Sequence, residues 1–285
     1  MGKSKANNLP MVFLYMLILP IMAGCAAARF RAHPQLQEKV HSIKTVAIMP
    51  PSIKLYALSI GGNTQLMDEP TAPAEQIVAA TIEKKLERHA GVVFKPFPSP
   101  TAILAASSDL AAGLKDELED TQALFEAVSA SVLLHTYGDP REKQIFPEKL
   151  KNFDYSLGPD VQRLAKLADA DALLFVSGVD HISTGGRKAV MSGVALLCTA
   201  GFLVNPIQAA MCLASLSGRA ILRAALVDAT TGALLWYNIG SGVSLTSLDQ
   251  ATDLAEQVFQ DFPLGTRPTR KEDDQNAWPI GLGPR

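Results

Sequence analysis

The sequence predicts an α/β (α+β) protein: a mixed, mostly antiparallel sheet flanked by helices, with an apolar hairpin-like insertion. Three observations predict it. A β-rich run at 44–50, a helical pattern at 71–90 and a second β-rich run at 92–96 form a strand–helix–strand unit. Ala172 to Val179 is a nearly continuous apolar run, as expected of a strand buried on both faces. Two β-rich flanks at 219–229 and 233–243 meet at Asp228-Ala-Thr-Thr-Gly232, a hairpin by its turn chemistry.

The chain opens on Lys3 and Lys5, followed by an apolar stretch from Pro10 that ends in small residues. That order is the layout of a secretory signal, and the run is too short for a comfortable membrane-spanning helix. Its end, Met22-Ala23-Gly24-Cys25, resembles a bacterial lipobox, with Met22 in place of the usual Leu. The resemblance implies cleavage before Cys25, a diacylglycerol thioether on its sulfur and acylation of the new amino group. The residue after it is Ala26 rather than Asp. By resemblance to enterobacterial lipoproteins this implies sorting to the outer membrane, facing the periplasm. The expected organisation is a signal peptide at 1–24, a lipidated tether at 25–42, and a periplasmic domain at 43–264. A tail without periodicity follows at 265–285 and is expected to be disordered.

Within the domain, Lys44 to Pro50 reads as a strand ended by Pro50-Pro51. Ile53 to Ser59 alternates and meets a turn at Gly61-Gly62-Asn63. Thr71 to Ala90 is the clearest helix: Thr71 as cap, Pro73 and Glu75 in the first turn, Val78, Ile82 and Leu86 on one face. Lys84, Lys85, Arg88 and His89 in its last turn complement the helix dipole, a simpler reading than a ligand site. Residues 99–152 are expected as a helical insertion. Two helices separate near Asp120-Thr121, with Asp116, Glu117, Glu119 and Asp120 on a solvated face, and a charged loop carries Pro140 and Pro147. Pro159-Asp160 opens a helix over 160–169 with Val161, Leu164, Ala165 and Ala168 on one face. Ser247 and Gln250 have the spacing of a capping box for a last helix at 249–262.

Residues 189–217 form a second, apolar insertion. From Ala189 to Leu216, 28 residues carry no Asp, Glu, Lys, Arg or His. Asn205-Pro206 divides the stretch into two arms, each too short to span a bilayer as a helix. Val194 to Val204 alternates too poorly for a pore strand. A hairpin or flap covered by a neighbouring protein or by lipid is the favoured reading, with Val194, Leu196, Leu197, Phe202, Leu203 and Val204 as contacts. A buried internal hairpin is the alternative. Cys198 and Cys212 lie inside it. In an exported protein they either form a disulfide worth roughly 3 kcal/mol by loop closure or serve as two small buried hydrophobes.

Composition limits the function. The 285 residues carry 26 basic and 28 acidic side chains, and removing the signal leaves a formal charge of -4. That balance gives no field for nucleic acid. Aromatic residues are only 6%, which argues against a base- or sugar-stacking surface. His33, His41, His89, His135 and His181 have no metal-ligand spacing. Gly240-Ser241-Gly242 lacks the earlier glycine of a nucleophile elbow, and Gly185-Gly-Arg-Lys188 lacks that of a phosphate loop. No catalytic residue and no metal site is assigned. Asp180 and His181, adjacent on a strand, point to opposite faces.

The lipobox, the Val46-Ala-Ile-Met-Pro-Pro51 strand, the Ala170-Asp-Ala-Leu-Leu-Phe-Val-Ser-Gly-Val179 strand and the Leu226-Val-Asp-Ala-Thr-Thr-Gly-Ala-Leu-Leu-Trp236 hairpin recur in one order. That order resembles envelope lipoproteins of the curli-secretion-channel (CsgG-like) group and their relatives, including the penicillin-binding-protein activators. The resemblance covers roughly 44–93 and 160–262. It implies no cofactor, and a non-enzymatic role as scaffold or accessory factor in assembly or export, through a protein partner or self-association. The 99–152 insertion and the single apolar segment depart from that pattern. Two alternatives stand beside it: a monomeric accessory lipoprotein that regulates a periplasmic enzyme, and a periplasmic hydrolase.

Overall fold

The computed structural model describes residues 30–59, 63–67, 71–87, 89, 91–99, 102–103, 113–137, 146–184 and 220–264. Its centre is strand β6, Ala172–Ser183, whose first seven residues are all buried. β7 (Ala220–Asp228) runs antiparallel to it, from Ala172 opposite Asp228 to Asp180 opposite Ala220. β8 (Leu234–Gly242) closes the hairpin, with a register shift between Leu226 and Val227. On the other side β6 is lined by two strands lying end to end. β2 (Thr45–Ile48) pairs with residues 172–174, and β3 (Ser52–Leu58) pairs with residues 177–183, both parallel. Pro50 and Pro51 sit in the break, where missing N–H groups make a continuous ladder impossible. β5 (Val93–Pro96) extends the sheet beyond β2 in parallel, and a short strand, β4 (Thr64–Leu66), pairs antiparallel with β3. Four of the seven pairings are antiparallel, so the mixed, mostly antiparallel sheet is the observed one.

Strand alternation gives the sheet two apolar faces, and each is covered by helices. Val46, Ile48, Leu174, Val176, Leu222 and Ala224 face α2 (Thr71–Leu86) and α6 (Leu248–Val258), which contribute Val78, Ile82, Leu254 and Val258. Ala47, Leu173, Phe175, Ala225 and Tyr237 face α3 (Leu114–Thr136) and α5 (Val161–Ala168). The result is three layers, helix–sheet–helix.

Three expectations change. First, the tether does not extend to residue 42. β1 (Arg31–Ala32) pairs with β8 at Tyr237 and Trp236, and Leu36 in α1 (Leu36–Val40) is 4% exposed in the core. The segment lacks a period because it is a two-residue edge strand and one helical turn, both too short to show one. Second, α3, inside 99–152, is not an add-on, since it supplies Leu114, Phe125 and Val132 to the second core. Nor does α3 break at Asp120-Thr121. The Thr121 hydroxyl donates to the Glu117 carbonyl at 2.7 Å, a bond made inside a continuous helix, and the flanking Leu, Ala and Glu residues favour helix. The expected loop contains a short helix, α4 (Pro147–Lys151), with Pro147 in its first turn. Third, the Ser247–Gln250 capping box is not formed, and the Thr71 hydroxyl donates to Met67 rather than capping. The α6 entry is held instead by Asp180, whose Oδ2 accepts from the Leu245 N–H and the Ser244 hydroxyl, each at 2.8 Å. Among the described residues no helix is long and apolar enough to cross a membrane.

Candidate functional site

The break between β2 and β3 leaves a notch in the sheet. β2 and β5 run parallel and end together, Ile48 opposite Pro96, while β4 covers β3 only from Tyr56 onward. The intervening edge at 49–54 has no neighbouring strand among the described residues. In open α/β sheets the crevice outside the carboxyl ends of parallel strands is where ligands bind. Here it is a cleft of about 420 Å³ floored by Met49, Leu118 and Phe175.

Two helices bring charge into it from opposite layers. From α2, Glu75 Oε1 accepts the Ile53 N–H at 3.4 Å, a long bond that replaces the missing strand partner. Desolvation raises the Glu75 pKa above the ordinary carboxylate value, and the Ile53 bond offsets it only in part. From α3, Glu126 accepts from the Ser52 hydroxyl at 3.0 Å and from the Lys54 ammonium. The Gln122 Nε2, also on α3, is buried at the same place and has no hydrogen-bond partner among the described residues. The notch thus offers a carboxyl that accepts, an amide that donates and apolar surface, and the other charged residues that line it, Lys115 and Glu119, pair with one another at 3.7 Å. That set suits a neutral polar group presenting both donor and acceptor, as a peptide or carboxamide does. Ser52 and Glu126 already bind one another.

Sequence reasoning missed this site. Glu75 reads as a dipole-complementing residue in a first turn, and Glu126 and Gln122 fall in the expected helical insertion without a motif that singles them out. Only the broken edge at Pro50-Pro51 was a signal, and it marks a strand end rather than a site.

Two other polar clusters are structural. Asp228 Oδ1 accepts from the N–H and hydroxyl groups of Thr230 and Thr231, and its Oδ2 from Lys39 Nζ at 3.0 Å. Burial pushes this carboxyl up, but the bonds from Thr230, Lys39 and Thr231 outweigh it and hold it well below the usual range. Asp180 is 1% exposed and spent on the α6 entry, while His181 stacks on Tyr56 with ring centroids 5.5 Å apart. The pair therefore do point apart. Under α3, burial pushes the Tyr237 phenol up to about 12, against the pull of Arg223 and Ser129. Tyr237 is fully enclosed, which seals it from any ligand.

Cys25 and the signal, Cys198, Cys212, the contacts Val194, Leu196, Leu197, Phe202, Leu203 and Val204, and the tail at 265–285 lie outside the described residues. Among the described residues no three His, Cys, Asp or Glu side chains are grouped as metal ligands.

No protein-family model matches the sequence, and none of the curated proteins is similar to it. Among solved structures it is similar to the PelC dodecamer from Paraburkholderia phytofirmans, at a TM-score of 0.33 and 14% identity over 84% of this chain and 96% of that one. A single-substitution variant of that dodecamer gives 0.32 and 14%, over 79% and 89%. At that distance the likeness transfers neither a fold nor a role.

Proposed function

We propose that this chain is an outer-membrane lipoprotein facing the periplasm, anchored through acyl chains on Cys25, and that it acts as a non-enzymatic scaffold or accessory factor in envelope assembly or export. The observation that carries the reading is the pairing of β6 with β7. With Asp180 opposite Ala220, the two chain ends that bound residues 185–219 leave side by side from one end of the sheet. The described strands on either side of the charge-free stretch Ala189–Leu216 are therefore neighbours in the sheet. Both sheet faces are already covered by α2, α6, α3 and α5. A cover from outside, by a protein partner, another copy or lipid, is the economical way to keep so apolar a stretch from water. The resemblance to CsgG-like lipoproteins supports the same role.

The test is purification of the tagged full chain from native membranes in mild detergent, with mass spectrometry of its mature N-terminus. The reading expects acyl groups on Cys25 and an assembly larger than one chain. Cys25→Ala should accumulate as unprocessed precursor. A mature N-terminus without acyl groups, or a lone chain in every mild detergent, would refute it.

A further inference from the structure

The outward face of α3, the longest helix among the described residues, is unusual. A surface helix carries polar residues on its solvent side. The exposed residues of α3 after Asp120 are Ala123, Leu124, Ala127, Ala130 and Leu134, all apolar, with Leu124 41% and Leu134 72% exposed. The two titratable groups on this half of the helix turn elsewhere: Glu126 to Ser52 and Lys54, His135 to Tyr155 at 2.7 Å.

The spacing says what covers this face. Ala123, Ala127, Ala130 and Leu134 follow one another at four, three and four residues, a single stripe about 16 Å long at 1.5 Å rise per residue. The stripe is self-complementary about its midpoint, between Val128 and Ser129. When a second α3 lies antiparallel across it, each Leu134 falls on the other copy's Ala123, and each Ala127 on the other's Ala130. Large meets small at the ends and small meets small at the centre, so the helices can approach closely. A two-fold contact demands this reciprocity, in which i meets j and j meets i. Charge agrees with the same arrangement. The exposed first turns carry Asp116 and Asp120 beside a Lys115–Glu119 pair, an acidic balance. At the opposite end the Arg31 guanidinium donates to the Thr136 carbonyl and lies over the Tyr137 ring, 4.3 Å from its centroid. Antiparallel packing about that midpoint brings Asp120 of each copy opposite Tyr137 of the other, the ring over which Arg31 lies.

We infer that this face of α3 is a two-fold docking surface for a second copy of the chain. The inference deepens the scaffold reading by naming the surface through which copies associate, and it rests on that reading only for its purpose. The contact is tested by light-scattering mass of the purified full chain in mild detergent. The wild type should contain an even number of chains, and Ala127→Glu should halve that number without changing the circular dichroism melt. Mixing Ala127→Glu with Ala130→Lys copies should restore it, because the new charges then face each other across the axis. Cysteine pairing gives an independent readout in a background with Cys198 and Cys212 replaced by Ser. Ala123→Cys copies should cross-link to Leu134→Cys copies in a mixture, and neither should cross-link alone, since like positions lie about 16 Å apart. A wild type with one chain overturns the inference, as does a mass that Ala127→Glu leaves unchanged together with no cross-link in the mixture. A one-chain wild type that still retains other envelope proteins overturns the contact and leaves the scaffold reading standing. A dimer lost in Ala127→Glu that binds no further protein supports the contact and counts against the scaffold.

Discussion

Asp228 sets the turn between β7 and β8. Its carboxylate gathers the Thr230 and Thr231 donors and the Lys39 ammonium while Gly232, at φ 71°, passes so close to Gly158 that an added Cβ would lie 1.9 Å from the Gly158 carbonyl oxygen. Hydrogen bonds to a charged group are worth about 1.5–3 kcal/mol, and Asp228→Ala is expected to cost at least that range in unfolding free energy. The pH dependence has a fixed sign. The folded pKa is depressed, so the unfolded chain takes up the proton first as pH falls. The contribution of Asp228 is whole at neutral pH, begins to fall below about pH 4 and is lost only as pH drops through the depressed folded pKa. Urea unfolding should therefore show a wide gap between wild type and Asp228→Ala at pH 7 that narrows at pH 3; an equal gap at both would assign the stability to packing instead. The Asp-Ala-Thr-Thr-Gly turn was legible because its chemistry is local. The Lys39 contact, 189 residues away in sequence, was not.

At the scale of the element, helices whose apolar residues recur on one face were readable, and their ends were less so. Val161, Leu164, Ala165 and Ala168 are buried as their spacing implies, and α5 stops at Asp169 in the left-handed conformation. The α6 entry illustrates the limit, because the Ser247–Gln250 spacing is a local pattern and the bond that holds the entry comes from Asp180 on another strand. The seat of α6 is equally non-local. An added Cβ at Gly240 on β8 would lie 2.8 Å from Val258 Cγ2 and 2.9 Å from Leu254 Cδ1. Gly240→Val should lift α6 from the sheet and destabilise by roughly 1–3 kcal/mol, the usual range for overpacking. A denaturation midpoint equal to wild type would show that α6 does not sit there.

For the whole molecule, the hairpin geometry makes a specific expectation about the charge-free segment. Because β6 and β7 are in register up to Asp180 and Ala220, a short Gly-Ser turn can replace residues 189–217 without moving either strand. The shortened chain is expected to keep the far-ultraviolet circular dichroism and a cooperative thermal transition, while losing any membrane contact beyond the lipid anchor. Failure to fold would make the segment part of the core and would remove the main support for an outside partner.

The sequence by itself determined what depends on neighbours along the chain: the fold class, most strands and helices to within a few residues, the hairpin turn, and the position of the apolar insertion between two adjacent strands. Periodicity and turn chemistry act over a few residues, so they survive without tertiary context. The tertiary structure alone decided the rest. It docked residues 31–40 onto β8 and the core, made α3 the cover of a sheet face, and joined Glu75, Glu126 and Gln122 in a notch left by two prolines. Each of these depends on which groups meet across long separations, and burial rather than spacing determines their energies.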